Sequence, residues 1–495
     1  MTKLTYDEMV RDDRVHTALY TDPDIFEDEI ERIFKETWVW VAHDSQLPKP
    51  GDFVTTHIGP QPVIVNRDKK GEVRVMLNRC RHRGATICEH KKGNAVGFVC
   101  PYHAWTYGQD GSLKGLPLPK GYKDFDKSEY GLITLRTESY NGLIFATFND
   151  DAPGLDEFLG RAKPWIDLFM KQGGGYPVKT MGEHKFTFPG NWKIQLENTT
   201  DAYHFPVVHK SFLTSLDGDT EALFSFMDAG GYVEDLGNGH SVMVMIPDLV
   251  DLEENLDEPI PDRFAELAED LRKDHSEVEV RRIVRAVTGT GFNVNLFPNL
   301  ACSMAFFRVL RPLSVDETEI RHIAIGMDGG PAAANQARLR LHEHFQGPMG
   351  FGTPDDAEAW ERVQRGAEAG EDEVWIMLAA ITEFIWQEGD LLDAKEYKQW
   401  LTLWADEGKY VIPIDPDETD FENTLNYAYD GAAMRDMRVR RLSSGQSISA
   451  AHAAATVRTI SRFVRLDDDA DGNIVVRGAQ NLTGTGFTPR MSRGR

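Results

Sequence analysis

Two short groups of cysteine and histidine constrain this chain more than any other feature of its sequence. Cys80 and His82 form the first group, and Cys100 and His103 form the second. Each group offers one thiolate and one imidazole, which are ligand types that suit either a structural zinc ion or an iron–sulfur cluster. The fold must therefore bring two loops together around one metal centre.

The order of the ligands within each group distinguishes these two kinds of centre. Zinc fingers usually place two cysteines in one group and two histidines in the other. Here each loop offers one ligand to each of two unlike irons, as a Rieske-type 2Fe–2S cluster requires. Binding of one iron by two histidines raises the reduction potential above that of clusters bound only by cysteine. The sequence therefore predicts a Rieske-type electron carrier, with a zinc site as the weaker alternative.

The composition limits the kind of protein to which this centre belongs. A chain of 495 residues is too long for one hydrophobic core and predicts about three domains. With 54 basic and 79 acidic residues the net charge is −25, which argues against nucleic acid and anionic membranes as partners. No targeting sequence or long apolar run is recognisable, so we expect a cytoplasmic protein. The remaining cysteines, Cys88 and Cys302, are expected to be buried thiols, which fits a reducing compartment.

The pattern of apolar residues predicts a small β domain around the first loop. Asp22 and Pro23 predict the start of a helix that lies against a larger body. From residue 51 the pattern changes to strands, and the strand predicted over residues 73–77 leads directly into Cys80. The first metal loop is therefore expected at the tip of a hairpin, in a β domain that ends near residue 153.

A second group of potential metal ligands lies further along the chain. Asp201 and His204 are three residues apart and would share one face of a helix, whereas His204 and His209 would not. Pro206 lies between the histidines and would bend or break the helix there, which would allow both side chains to converge. Two histidines alone are equally compatible with unrelated core or surface positions.

Two histidines and one carboxylate would form the facial triad that is typical of mononuclear non-haem Fe(II). The carboxylate must come from another segment of the chain. The candidates are Asp355 and Asp356, or the acidic group Glu388, Asp390 and Asp393. Periodicity does not choose between them.

Together these segments resemble the large (α) subunit of Rieske non-haem iron aromatic ring-hydroxylating dioxygenases, from about residue 15 to about residue 370. The resemblance implies that the cluster is bound by Cys80, His82, Cys100 and His103. It implies that the mononuclear iron is bound by His204, His209 and the second aspartate, Asp356. It also implies that Asp201 bridges an iron-binding histidine to a cluster histidine of the neighbouring subunit, and that Asn198 lies close to the iron.

The resemblance also implies an α+β architecture and a head-to-tail homotrimer. Residues 1–40 would form a helical segment that packs on the catalytic domain, 41–153 an all-β Rieske domain, and 154–368 a helix-grip catalytic domain of antiparallel sheet and helices. Beyond residue 370 the chain resembles the small (β) subunit of the same enzymes. Residues 369–495 are thus expected to form a cone-like domain similar to nuclear transport factors, truncated before its last strands. In that domain Glu388, Asp390 and Asp393 would be structural.

The activity implied by the resemblance is that of a terminal oxygenase in aromatic compound catabolism. It would use O₂ to cis-dihydroxylate an aromatic ring. No dinucleotide-binding motif opens a strand–turn–helix unit, so the chain is not expected to bind NADH itself. Electrons would come from a separate NAD(P)H-dependent reductase, with or without a ferredoxin. A benzoate-type carboxylate is the favoured substrate class, and Arg308 or Arg311 could bind it, although a structural ion pair is the more common role of such residues. The alternatives are a Rieske monooxygenase or demethylase, an electron-transfer Rieske protein without oxygenase activity, and a non-catalytic metal-binding protein.

Overall fold

The computed structural model describes residues 5–11, 14–122, 125–201, 203–210, 232–244, 259–288, 292–303, 305–369, 375–377, 397–404, 410–413, 426–443, 455–465 and 476–485. The chain divides into two compact units. One consists mainly of His16–Val374, and the other consists of Thr5–Val15 together with Trp375–Arg495. Both contain helices and paired strands, so the predicted α+β class is confirmed. The domain boundaries stay predictions.

The N-terminal elements are short. They are α1 (Tyr6–Met9), β1 (Arg14–His16), α2 (Ala18–Thr21) and α3 (Pro23–Glu29). Asp22 caps α3 as expected, because its side chain accepts a hydrogen bond from the Asp24 N–H, and the ring of Pro23 occupies the first turn, where no N–H is needed. A π-helix (Ile30–Phe34) continues α3 and packs Phe34 edge-on against Trp192, so this segment lies on the body that carries the second group of ligands.

Ten strands form the region around the first two metal loops. They are β2 (Val39–His43), β3 (Asp52–Ile58), β4 (Gln61–Arg67), β5 (Val73–Leu77), β6 (Lys92–Asn94), β7 (Gly97–Val99), β8 (Thr106–Gly108), β9 (Leu113–Gly115), β10 (Thr134–Tyr140) and β11 (Leu143–Thr147). One sheet has the order β2-β11-β10-β5-β4-β3-β6 and a smaller one the order β7-β8-β9. This region is all-β, as predicted.

The two metal loops connect strands in different ways. The second loop, residues 100–105, joins β7 to β8, which pair with each other and form a true hairpin. The first loop, residues 78–91, joins β5 to β6, but in the described sheets β5 pairs with β4 and β10 while β6 pairs with β3. The predicted hairpin tip is therefore wrong for the first loop, because its two flanking strands lie apart in the sheet.

The remaining part of the larger unit is built on one antiparallel sheet with helices on both sides. Its elements are α4 (Leu155–Leu159), α5 (Lys163–Met170), β12 (Val178–Phe188), α6 (Trp192–Asn198), α7 (Phe205–Val208), β13 (Tyr232–Gly237), β14 (His240–Val244), α8 (Ala265–Leu271), α9 (Glu277–Thr288), β15 (Phe292–Leu296), β16 (Leu300–Ser303), β17 (Phe306–Ser314), β18 (Glu317–Met327), α10 (Ala332–Gln346) and α11 (Thr353–Glu368). The strand order is β12-β18-β17-β16-β15-β14-β13. This arrangement agrees with the predicted helix-grip fold.

Side-chain alternation along β17 assigns a different role to each face of this sheet. Phe307 and Val309 join the apolar core that α4 and α5 form on one face. Arg308, between them, points to the other face and donates a hydrogen bond to Gln346 at the end of α10. The second face therefore carries polar side chains under α6, α10 and α11.

Besides α1 and most of β1, the structure describes paired strands and two further helices in the smaller unit. They are β19 (Trp375–Met377), α12 (Tyr397–Trp400), β20 (Tyr410–Pro413), β21 (Asn426–Asp430), α13 (Ala432–Ser443), β22 (Ala455–Arg465) and β23 (Val476–Thr485). The strand pairs are β1 with β19, β20 with β21, and β22 with β23. The acidic group Glu388, Asp390 and Asp393 lies outside the described residues. Within the described parts of both units, every helix is too short or too polar to cross a membrane.

Candidate metal centres

The first two loops share one backbone geometry, although their ligand spacings differ. In the first, the Cys80 N–H donates to Ala85 O and the Gly84 N–H donates to Cys80 O. In the second, the Cys100 N–H donates to the carbonyl of residue 105 and the N–H of Ala104 donates to Cys100 O. Both turns contain a residue in the left-handed region, Gly84 at φ 74° and Ala104 at φ 54°. The two cysteines are thus held in equivalent, buried positions.

The histidines of the two loops face each other beside the buried cysteines. The ring centroids of His82 and His103 are 4.6 Å apart. The Nδ1 atom of each ring is buried and has no hydrogen-bond partner among the described residues. Buried polar atoms are normally paired. Two unpaired imidazole nitrogens next to two buried thiols are the donor set that a Rieske cluster uses, so the residues fit this cofactor.

Aromatic and polar neighbours fix the orientation of these ligands. The His82 ring stacks on Trp105 at 5.0 Å with an interplanar angle of 6°. Burial, followed by the neighbouring His103 and Arg83, lowers the pKa of His82, which favours the neutral imidazole that binds metal. The Tyr107 hydroxyl lies 3.3 Å from Cys80 Sγ.

Asn78 braces the first loop, and sequence reasoning missed it. Its Oδ1 accepts hydrogen bonds from the N–H groups of Ile87 and Cys88, and its Nδ2 donates to Cys88 O at 2.7 Å. Asn78 is buried, so these bonds replace the pairing that a regular hairpin would provide. An asparagine directly after a strand and before a metal loop was the only available signal.

The second centre brings together residues from two distant segments. His204, His209 and Asp356 each offer one ligand atom, and these atoms lie within 4.8 Å of one another. Asp356 Oδ1 is 3.1 Å from His209 Nε2 and 3.5 Å from His204 Nε2. His209 is 2% exposed and Asp356 3%, whereas the neighbouring Asp355 is only half-buried. The geometry favours Asp356 over Asp355, as the family resemblance implied.

The chain turns at this centre differently from the sequence-based expectation. Helix α6 already ends at Asn198, so Asp201 does not share a helix with His204. His204 and His209 flank the one-turn helix α7 as its N-cap and C-cap, and Pro206 occupies the first turn of that helix. The prediction that Pro206 breaks a helix between the histidines is therefore wrong. A proline in a first turn costs no hydrogen bond, and the histidines converge because they bracket a single turn.

Helix α11 delivers the carboxylate from its first turn. The buried residues of this helix are Thr353, Asp356, Trp360, Gln364 and Ala367. Their helical spacing forms one inward face, which includes Asp356 and leaves Asp355 outside it. That stripe is the sequence signal that could have selected Asp356. The N-terminal turn of a helix also stabilises a negative charge.

The electrostatics of this centre suit a divalent cation. Burial opposes ionisation of Asp356, but hydrogen bonds from His204 and His209 outweigh it and lower the pKa of the carboxyl to about 2. Burial likewise opposes protonation of His204, yet Asp201 and Asp356 raise its pKa to about 9. The other ring nitrogen of His209, Nδ1, is buried and has no hydrogen-bond partner among the described residues. A buried carboxylate with two imidazoles fits the facial triad of non-haem iron.

Two further predicted site residues lie beside His204. Asp201 Oδ2 is 3.3 Å from His204 Nδ1, and the Asp201 side chain is 43% exposed. Asn198 Nδ2 lies 3.4 Å from both ring nitrogens of His204, so it packs along the ring. Of the two arginines considered for a substrate carboxylate, Arg311 pairs with Glu319 at 3.9 Å. Arg308 is buried and donates to neutral side chains.

Comparison with known protein families matches the chain in three parts. The Rieske [2Fe-2S] domain matches residues 37–126, the ring hydroxylating alpha subunit (catalytic domain) matches residues 177–394, and the ring hydroxylating beta subunit matches residues 387–483. The first two matches contain the two candidate metal centres.

Individual relatives match most of the chain. The large subunit of anthranilate 1,2-dioxygenase from Acinetobacter baylyi is 35% identical over 384 residues, which cover 73% of this chain and 79% of the relative. The alpha subunit of toluate 1,2-dioxygenase from Pseudomonas putida is 32% identical, covering 72% and 80%. Among solved structures, naphthalene 1,2-dioxygenase with bound indole superposes with a TM-score of 0.64 at 27% identity, covering 77% of this chain and 86% of that one.

These matches have a direct consequence for the two centres. The cofactors are a Rieske 2Fe–2S cluster and a mononuclear iron, and both donor sets fit them. The chain belongs to the family of Rieske ring-hydroxylating dioxygenase large subunits, which are oxidoreductases, and carries a β-subunit-like segment in the same polypeptide.

Proposed function

We propose that this protein is a terminal oxygenase that cis-dihydroxylates a benzoate-type aromatic carboxylate in the cytoplasm. The observation that carries the proposal is the buried convergence of His204, His209 and Asp356. The substrate class is supported by relatives named for anthranilate, toluate and 2-halobenzoate, at 35%, 32% and 30% identity. Relatives named for biphenyl, naphthalene and chlorobenzene make the carboxylate the point to test.

In this proposal Cys80 and Cys100 bind one cluster iron, His82 and His103 bind the other, and His204, His209 and Asp356 bind the mononuclear iron. When bound, the cluster supplies single electrons and the mononuclear iron supplies the site of O₂ activation. Asp356 contributes the negative charge of the site. The burial of His209 and Asp356 keeps bulk water away from the iron ligands. The Asp201 carboxylate holds Nδ1 of His204 and so fixes which ring nitrogen is free to face the metal.

Asp201 has a second role in the proposed head-to-tail homotrimer. Its side chain is 43% exposed, with Oδ2 against His204 and Oδ1 accepting a hydrogen bond from the Tyr203 N–H at 2.8 Å. A carboxylate oxygen can accept more than one hydrogen bond, so the exposed side chain could also accept one from a neighbouring subunit. We propose that it bridges His204 to a cluster histidine of that subunit. A closed ring of such interfaces would give every mononuclear site its own electron donor.

Electrons would reach the cluster from a separate reductase, with or without a ferredoxin. We propose docking at the exposed histidine edge, where Tyr102 and Val99 are exposed beside His103. The test is to mix the purified chain with NADH alone and then with a reductase. Bleaching of the cluster should require the reductase, and rapid bleaching by NADH alone would contradict a separate donor.

Reconstitution with a reductase tests the reaction type and the substrate class together. Matched substrate pairs that differ by one carboxylate, such as benzoate and benzene or anthranilate and aniline, should be compared by oxygen uptake and product mass. The proposal predicts that two oxygens and two hydrogens are added to the acids and that the neutral partners react poorly. Addition of one oxygen would identify a monooxygenase or demethylase, and equal rates for both members of each pair would refute the carboxylate preference.

A further inference from the structure

A buried arginine with neutral partners lies on the polar face of the catalytic sheet. Arg308 on β17 is 4% exposed. Its Nε donates to His322 Nε2 at 3.0 Å, one terminal nitrogen donates to Thr199 Oγ1 at 3.4 Å, and the other donates to Gln346 Oε1 at 3.1 Å. Burial, and next the charge of Arg308, keeps the pKa of His322 low, so this imidazole is a neutral acceptor. Buried charges are normally paired with an opposite charge, so this arrangement requires an explanation.

The partners of Arg308 belong to the two segments that carry the proposed iron ligands. Thr199 caps the C-terminal end of α6, and from there the chain runs directly to His204. Gln346 ends α10, and its Oε1 also accepts a hydrogen bond from Thr353 Oγ1 at 2.6 Å. Thr353 is the first residue of α11 and lies one turn before Asp356. One guanidinium therefore links the histidine segment to the carboxylate helix.

The remaining contacts make this link rigid. Thr199 Oγ1 also accepts a hydrogen bond from Gln195 Nε2 at 2.8 Å, inside α6. His322 Nδ1 lies 3.2 Å from Gln346 O. The histidine that accepts a hydrogen bond from Arg308 therefore also holds the end of α10. Burial lowers the pKa of Arg308, whereas the negative charge of the Asp356 carboxylate opposes this shift and favours the protonated guanidinium. A planar guanidinium can hold three fixed directions at once, which a lysine ammonium on a flexible stem cannot.

We propose that Arg308 is a positioning residue for the mononuclear iron site, and that it fixes the α6–α7 segment against the first turn of α11. This inference rests on the ligand set in the proposed function. It does not require Arg308 to contact substrate. A positioning role and a substrate-binding role predict different effects on iron affinity and KM. A positioning residue controls iron affinity in the absence of any substrate, whereas a substrate-binding residue would leave iron affinity unchanged and raise KM.

The chain offers a matched control for this test. Arg338 on α10 is 2% exposed and also donates to neutral groups, namely Ile325 O, Val287 O and Gln172 Oε1. None of these three partners lies on α6, α7 or α11. Arg308→Met and Arg338→Met should therefore cost comparable folding stability, because each removes the three hydrogen bonds of one buried guanidinium. Only the first should disturb the iron site.

The experiment uses the full chain with its Rieske cluster assembled and its mononuclear iron removed by a chelator. Fe(II) is then titrated anaerobically, and the cluster spectrum and thermal midpoint are recorded for each variant. We expect Arg308→Met to weaken Fe(II) binding by about 10–100-fold, the usual effect of losing an outer partner of a metal site. Arg338→Met should bind Fe(II) within about twofold of the parent chain. Arg308→Lys should also weaken binding, because it keeps the charge but loses the three-way geometry.

Two additional variants keep the result interpretable. If Arg308→Met does not fold, Thr353→Val removes only the hydroxyl that joins Gln346 to α11, and it should still weaken Fe(II) binding by about 3–10-fold, the loss of one hydrogen bond. Asp356→Ala should abolish binding. Retention of iron in Asp356→Ala overturns the proposed ligand set itself. If Asp356→Ala loses iron but Arg308→Met binds Fe(II) with normal affinity, only the positioning role of Arg308 is overturned. Normal affinity in Thr353→Val has the same meaning if Arg308→Met is unfolded.

Discussion

Replacement of Asp356 by asparagine should remove tight iron binding, whereas the same replacement at the adjacent Asp355 should not. The two aspartates follow each other in the first turn of α11. Asp356 is 3% exposed with Oδ1 3.1 Å from His209 Nε2, while the Asp355 side chain is only half-buried. The pair therefore tests the carboxylate assignment with the smallest possible change in sequence.

The expected magnitude follows from this difference in burial. Loss of one partner in a buried charged site costs about 3–5 kcal/mol. Because 1.4 kcal/mol corresponds to a factor of ten, the Kd for Fe(II) should rise by about 10²–10⁴-fold in Asp356→Asn. A more exposed charge contributes about 1 kcal/mol or less. Asp355→Asn should therefore change the Kd by about fivefold at most.

The assay is anaerobic titration of Fe(II) into chelator-treated protein whose Rieske cluster is intact. The visible spectrum of the cluster reports that both variants are folded around their first metal centre. Equal effects of the two substitutions, or a larger effect of Asp355→Asn, would show that the buried aspartate is not the iron ligand and would overturn the assignment of Asp356.

Three further predictions concern the electron path and the metal loops. Asp201→Asn should leave both metal centres filled but slow product formation by about 100-fold, and near-normal turnover would remove Asp201 from the path. Gly84→Ala should lower the free energy of unfolding by about 1 kcal/mol, because an L side chain is strained at φ 74°. Ala104→Gly, at φ 54°, should raise the free energy of unfolding by about 0–1 kcal/mol. Denaturant unfolding of both variants checks that the two effects have opposite signs. Asn78→Ala leaves buried backbone groups of the first loop unpaired, so it should destabilise the protein by about 2–3 kcal/mol and reduce the cluster content of the purified chain, and full cluster occupancy would contradict the bracing role.

The first centre could be predicted from the sequence because its ligands are local. Each loop carries one cysteine and one histidine within a few residues, and the mixed order already favours two unlike irons over zinc. The loop conformations were less accessible. Ala104 adopts the same left-handed backbone conformation as Gly84, and this conformation cannot be predicted from the positions of glycine residues alone. The first loop is not a hairpin, because β6 pairs with β3, a strand that is distant in the sequence, and local sequence patterns do not predict such pairing.

The second centre was only partly predictable because its carboxylate comes from a distant helix. His204 and His209 are evident as candidates, but the turn that brings them together depends on where α6 ends, which tertiary packing decides. Asp356 could have been selected from the buried stripe of α11, given the helix boundaries. Arg308 had no such signal. Its role depends on partners in three separate segments that only the folded sheet brings together.

The presence of two different iron centres in one polypeptide can be measured directly. Its most direct test is the iron, sulfide and zinc content of the anaerobically purified chain, measured before and after chelation. We expect about three irons and two acid-labile sulfides per chain, with about one iron removed by the chelator and the cluster spectrum retained. Zinc in place of iron, or no iron beyond the pair that accompanies the sulfides, would contradict it.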